Sequence, residues 1–111
     1  MKQFKIIRGK GFHLPIGDYI LSVQFGDCNY CNNYGNEEYI DQNNTVRCED
    51  AEVAILNKDG GFVTQKIIDQ MAGADNIKDQ MVDEDVIASV MPDEVCQIIS
   101  YLYEKTKGES E

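Results

Sequence analysis

The chain has 111 residues and a net charge of −10, with 20 acidic against 10 basic side chains. That length predicts a single domain with one hydrophobic core. The negative charge excludes nucleic-acid binding through phosphates, which the protein would repel. No run of about 18 apolar residues is present, so the sequence predicts no membrane-spanning helix. The amino terminus lacks the pattern of a secretory signal, so we expect a cytoplasmic protein.

The amino-terminal quarter predicts a β-hairpin. Residues 2–8 alternate loosely between apolar and polar side chains and indicate a first strand. Residues 19–25 alternate more strictly, as a half-buried strand does. Proline, glycine and aspartate at 15–18 form a turn signal between the apolar runs. We therefore expect residues 19–25 to be the second arm of an antiparallel hairpin.

The middle of the chain predicts a second hairpin and one more strand. Three apolar runs indicate strands: residues 51–56, 62–68 and 86–91. The first two are separated by residues 57–61, where two glycines supply a turn with positive φ. Residues 69–85 are either a loop or a weak helix interrupted at Gly73.

The carboxyl-terminal segment predicts an amphipathic helix from Pro92 to Lys107. Proline suits the first helical position, and the two acidic residues after it favour the positive end of the helix dipole. The apolar stripe comprises Val95, Ile98, Ile99, Leu102 and Tyr103. We expect Gly108 to stop the helix and residues 109–111 to form an acidic tail. The elements together predict one α+β domain over residues 1–108, an antiparallel sheet of about five strands with the helix packed on it.

A long irregular segment, residues 27–45, is the most chemically distinctive part of the chain. Such segments are usually functional, and tyrosines and asparagines are typical of adaptable binding loops. The candidate contact residues are Asn29, Tyr30, Cys31, Asn32, Asn33, Tyr34 and Tyr39. They suit a protein epitope or a neutral base and ribose. The alternative is an ordered loop held by hydrogen bonds from asparagine side chains to the backbone.

Cysteines offer a second kind of site in the same segment. Cys28 and Cys31 have the C-x₂-C spacing of half a zinc site, and Cys48, Cys96 and His13 are candidates for the missing ligands. Zinc is therefore the alternative to a protein without cofactor. A nucleophilic Cys31 activated by His13 would lack a third group to orient the base, so we predict that the protein is not an enzyme.

Several short motifs carry a resemblance. They are K-G-F-H (10–13), S-V-Q-F-G (22–26), N-Y-C-N-N (29–33), A-E-V-A-I (51–55) and P-D-E-V (92–95). Through them, most of the chain resembles a group of small proteins encoded by tailed bacteriophages and prophages. The resemblance implies a shared loop at Gly26, Asn29, Tyr30 and Cys31, but no activity. The cysteine that matches Cys31 is usual in that group, whereas Cys28 is a departure from it.

The resemblance implies a phage-encoded accessory protein that acts by binding, in the cytoplasm of an infected bacterial cell. Such a protein would inhibit a bacterial defence protein or sequester a nucleotide signal. The expected partner is thus a host protein or a small nucleotide-like ligand. A small zinc-binding domain built on Cys28 and Cys31 is the alternative function. Because the edges of a sheet must be covered, a homodimer is also open.

Overall fold

The computed structural model describes residues 2–109 and confirms an α+β fold with a five-stranded antiparallel sheet. The strands follow one another across the sheet in chain order. The elements are β1 (Lys5–Ile7), β2 (Gly11–Ile16), β3 (Tyr19–Gln24), β4 (Ala51–Asn57), α1 (Thr64–Gln70), α2 (Asp75–Lys78), β5 (Ile87–Val90) and α3 (Pro92–Glu109). Among these residues, no helix combines the length and apolar composition that a membrane span requires.

The predicted turn at residues 15–18 joins β2 to β3, and β3 is the expected second arm of a hairpin. The first arm is β2, whereas the predicted strand at residues 2–8 is present only as the short edge strand β1. Ile16 pairs with Tyr19, so the turn between the strands has only two residues. The first of them, Gly17, has a φ of +59°, which glycine adopts without steric cost. A Cβ there would also lie 2.2 Å from the Thr106 hydroxyl of α3. The turn therefore needs glycine both for its backbone and for its contact with the helix.

The predicted strand at residues 62–68 is wrong. The turn after β4 forms as expected, since Gly60 has a φ of +88° and the Asn57 side chain accepts hydrogen bonds from two main-chain amides of the turn. The return arm, however, makes a single bridge between Leu56 and Phe62. The chain then enters α1 at Thr64.

Thr64 explains why the strand stops so early. Its hydroxyl oxygen accepts a hydrogen bond from the Ile55 main-chain N–H at 2.9 Å, and the hydroxyl lies 2.6 Å from the Asp85 carbonyl oxygen. This fully buried side chain thus takes the place of a strand partner for β4. The helix that begins there buries Ile67 and Ile68 in the core. Tertiary packing has overridden the β-propensity of the sequence.

For residues 69–85 the sequence left two alternatives, a loop or a weak helix interrupted at Gly73, and the structure agrees with the second. The helix α1 ends at Gln70, Gly73 follows with a φ of +70°, and the short α2 comes after it. The predicted strand before Pro92 is present as β5. Its Ile87 also bridges to Met81, so this edge of the sheet is partly covered.

The carboxyl-terminal helix α3 begins at Pro92 as predicted but does not stop at Gly108. It continues to Glu109, the first residue of the predicted tail. Residues 110 and 111 of that tail lie outside the described part of the chain. Within the predicted stripe, Ile98 and Leu102 are fully buried against the sheet. Tyr103 is not part of the core: it is 56% exposed, and the Lys107 ammonium lies 5.5 Å from the centre of its ring.

Candidate functional site

The loop between β3 and β4 is attached to the start of β4 by a glutamate. One carboxylate oxygen of Glu52 accepts a hydrogen bond from the Tyr30 main-chain N–H at 2.9 Å, and the other accepts one from the Asn29 amide at 3.2 Å. The Tyr30 carbonyl in turn accepts a hydrogen bond from the main-chain N–H of Ser89 in β5, at 3.0 Å. Tyr30 is thus held at both ends of its own peptide backbone.

A second carboxylate holds the next turn of the loop. Asp50 is buried, and its Oδ1 accepts a hydrogen bond from the Asn32 N–H at 2.7 Å. The neighbouring Glu49 accepts one from the Asn32 side-chain amide at 3.1 Å. Hydrogen bonds to ionised groups are shorter and stronger than neutral ones. Part of the acidity of this chain therefore orders the loop.

Asparagine side chains supply the remaining support. Asn33 is only 7% exposed, and its amide nitrogen donates to the Phe25 carbonyl at 2.8 Å and to the Arg47 carbonyl at 3.1 Å. Asn29 accepts a hydrogen bond from the Gly26 N–H at 2.8 Å. The hydrogen bonds between asparagine side chains and the backbone that the sequence suggested are therefore present at Asn29 and Asn33.

The far end of the loop closes on Asp41. Its carboxylate accepts hydrogen bonds from the main-chain N–H groups of Asn43 and Thr45 and pairs with Arg47 at 2.9 Å. The two main-chain hydrogen bonds, chiefly that from Thr45, lower the pKa of the carboxyl below its usual value. An antiparallel bridge between Ile40 and Val46 completes this small turn.

Two of the three predicted tyrosines form an exposed stacked pair. The rings of Tyr30 and Tyr34 have their centres 5.6 Å apart and their planes inclined by 13°. Tyr30 is 44% exposed and Tyr34 is 62% exposed. Tyr39 is half-buried, and its hydroxyl lies close to Gly9 in the turn between β1 and β2. The loop thus presents a flat aromatic surface built from Tyr30 and Tyr34, which we call the tyrosine pair.

The cysteines are arranged differently from the predicted C-x₂-C half-site. Cys31 is buried and converges with Cys48 and Asp50: the two Sγ atoms and a carboxylate oxygen all lie within 4.8 Å of one another. Cys28 is exposed and does not belong to this group, and Cys96 is exposed on α3. Cys48 was among the residues suggested for the missing ligands. Asp50 was not, because its place beside Cys31 depends on the path of the loop.

The environment of Cys31 does not favour a nucleophile. Burial raises the pKa of its thiol to about 11, opposed in part by a hydrogen bond from the Asn33 N–H and reinforced by Cys48. His13 lies on β2 opposite Lys5 of β1. Burial, and then the Lys5 charge, lower the pKa of the imidazole. A pKa of about 11 keeps the Cys31 thiol protonated near neutral pH, which disfavours the thiolate that a nucleophilic mechanism needs.

An apolar pocket of about 210 Å³ adjoins this group. Cys48 and Asp50 are among the residues that line it. The remaining lining residues are largely apolar and include Phe12, Phe25 and Val95. The two phenylalanine rings are in contact, with their centres 6.4 Å apart. The same end of the sheet thus carries the tyrosine pair, the group of Cys31, Cys48 and Asp50, and a concave apolar surface.

Comparisons of the chain with protein-family models, with curated proteins and with solved structures find no match.

Proposed function

We propose that this chain is a non-enzymatic binding protein whose contact surface is the tyrosine pair, and that its partner is another protein. The observation that carries the proposal is the exposed stacking of Tyr30 on Tyr34. Aromatic side chains of this kind dominate the energetics of protein interfaces and lose little conformational entropy on binding. Isolated exposed apolar side chains are common on protein surfaces, but two stacked rings form one contiguous patch, which is typical of an interaction site.

The attachment of the loop supports this proposal. The Tyr30 backbone is held by Glu52 on one side and by the Ser89 amide on the other. The following turn is held by Asp50. A surface whose backbone is already ordered gives up less entropy on association, which raises affinity. Binding through the tyrosine pair would therefore require little rearrangement of the loop.

The charge of the chain favours a protein partner over a nucleotide. The net charge is −10, and Glu49 and Glu52 accept hydrogen bonds from the loop that carries the tyrosine pair. Such a surface attracts a basic protein patch and speeds its encounter, whereas it repels phosphate groups. The resemblance to phage-encoded proteins suggests a bacterial host protein, for instance one that acts in defence.

The test is affinity capture from a bacterial lysate with tagged protein. The informative variant is Tyr30→Ala combined with Tyr34→Ala, because the recorded hydrogen bonds of Tyr30 use its main chain and survive truncation of the ring. Tyr103→Ala is the matched control, since it removes an exposed tyrosine from α3. We expect one host protein to be retained by the wild type and by Tyr103→Ala, and lost by the double variant.

Two results would contradict the proposal. One is capture of the same protein by the wild type and by the double variant in equal amounts. The other is native mass spectrometry that finds a bound molecule of nucleotide size on the wild type and not on the double variant. That result would replace the protein partner with a small ligand at the same surface.

A further inference from the structure

We propose that Cys31, Cys48 and Asp50 form a binding site for one Zn²⁺ ion. Their ligand atoms lie within 4.8 Å of one another, although the residues come from two separate parts of the loop. The Cys48 Sγ and the Asp50 Oδ1 are 3.6 Å apart. In a tetrahedral zinc site with Zn–S of about 2.3 Å and Zn–O of about 2.1 Å, sulfur and oxygen ligands also stand about 3.6 Å apart. One edge of the tetrahedron is therefore already in place.

The chemistry of the three side chains suits zinc. Thiolates select Zn²⁺ and other soft or borderline ions over Mg²⁺ and Ca²⁺, which prefer oxygen ligands alone. Two thiolates and one carboxylate carry three negative charges, so the complex with Zn²⁺ would have a net charge of −1. Each thiol loses its proton to solvent as its sulfur binds the metal, so two protons are released for each ion bound.

The hydrogen bonds around the site are compatible with this exchange. At present the Cys31 thiol donates to the Gly26 carbonyl, and the Cys48 thiol donates to Asp50, both at 3.6 Å. The ion would take the place of these two protons. The Asn32 N–H, at 2.7 Å from the Asp50 Oδ1, fixes the orientation of the carboxylate. Such outer partners typically raise the affinity of a metal site by about 10–100-fold.

Cys48 and Asp50 both line the apolar pocket, so an ion held by them would lie at its wall. A water molecule or a partner's side chain could then be the fourth ligand. Bound zinc would also tie residue 31 to residues 48 and 50, and hence hold both ends of the loop that carries the tyrosine pair. The proposal does not depend on the proposed protein partner, because metal binding is measured on the isolated chain.

The test titrates the reduced protein with Zn²⁺ and measures stoichiometry by native mass spectrometry and stability by thermal unfolding. Co²⁺ is a second probe, because thiolate ligands give it an intense ultraviolet charge-transfer band. The variants are Cys48→Ser and Asp50→Asn, the latter retaining an oxygen that can accept the Asn32 hydrogen bond. Cys28→Ser and Cys96→Ser are matched controls, since both change exposed thiols outside the group.

We expect one Zn²⁺ per chain, a higher Tm with zinc, and a Co²⁺ band in the wild type and in both controls. Cys48→Ser and Asp50→Asn should each weaken Zn²⁺ binding by at least about 10-fold, because losing even an outer partner of a metal ligand typically costs that much affinity. Loss of binding in Cys28→Ser would overturn the site in favour of the Cys28–Cys31 pair. A wild type that binds no Zn²⁺, or that only forms a Cys31–Cys48 disulfide, would also overturn it.

Discussion

Replacing Asn33 by alanine tests whether the loop is held as described. The Asn33 amide nitrogen donates to two carbonyls, those of Phe25 and Arg47, in a nearly solvent-free position. Each hydrogen bond contributes about 1 kcal/mol net, so Asn33→Ala should lower the free energy of unfolding by about 2 kcal/mol. With a urea m-value of about 2 kcal/mol per M, the unfolding midpoint should fall by about 1 M.

The matched control is Asn43→Ala. Asn43 is exposed, and it is its main-chain N–H that bonds to Asp41, so alanine preserves the contact. The control should change the free energy of unfolding by less than about 0.5 kcal/mol. Urea unfolding of both variants, followed by circular dichroism, makes the comparison. If Asn33→Ala is as stable as Asn43→Ala, the Asn33 amide does not anchor the loop.

Two further predictions concern the α3 terminus and the buried thiol. Buried Glu94 accepts hydrogen bonds from the Met91 N–H and the Gln80 amide, so Glu94→Ala should lower the free energy of unfolding by about 2 kcal/mol. This loss should clearly exceed that of Asp93→Ala at the exposed preceding position, and equal urea midpoints for the two variants would contradict the prediction. The pKa of Cys31 is raised by burial from 9.0 to about 11, so the stability that comes from the protonated thiol is complete below pH 9 and is lost as the pH rises through 11. The stability advantage of the wild type over Cys31→Ala should therefore shrink between these pH values, whereas a constant difference would argue against the burial of the thiol.

Local patterns were sufficient for much of the fold. The alternation at residues 19–25 predicted β3 because one face of that strand lies on the core, and the stripe around Ile98 and Leu102 predicted α3 for the same reason. The strand at residues 62–68 failed because Thr64 bonds to Asp85, far along the chain. The apolar and polar pattern of residues 62–68 cannot indicate a contact with a residue so far away in the sequence.

In the candidate site, too, local patterns predicted some features, and others depend on contacts between residues far apart in the sequence. Tyrosines and asparagines in an irregular segment indicated the loop, and the structure adds that two of the tyrosines stack. The partners of Cys31 could not be predicted from spacing, because the turns of the loop bring Cys48 and Asp50 to it and leave the nearby Cys28 exposed. Spacing in the sequence indicated the Cys28–Cys31 pair, whereas the structure places Cys48 and Asp50 next to Cys31.

Whether the tyrosine pair is the contact surface is tested most directly by the affinity of a captured host protein, measured by titration calorimetry against three forms of the chain. Truncating an interface hot spot typically costs about 2 kcal/mol or more, which weakens binding about 30-fold. We expect at least that loss for the Tyr30→Ala, Tyr34→Ala double variant and unchanged affinity for Tyr103→Ala. Equal affinities for all three forms would show that the tyrosine pair is not the contact surface.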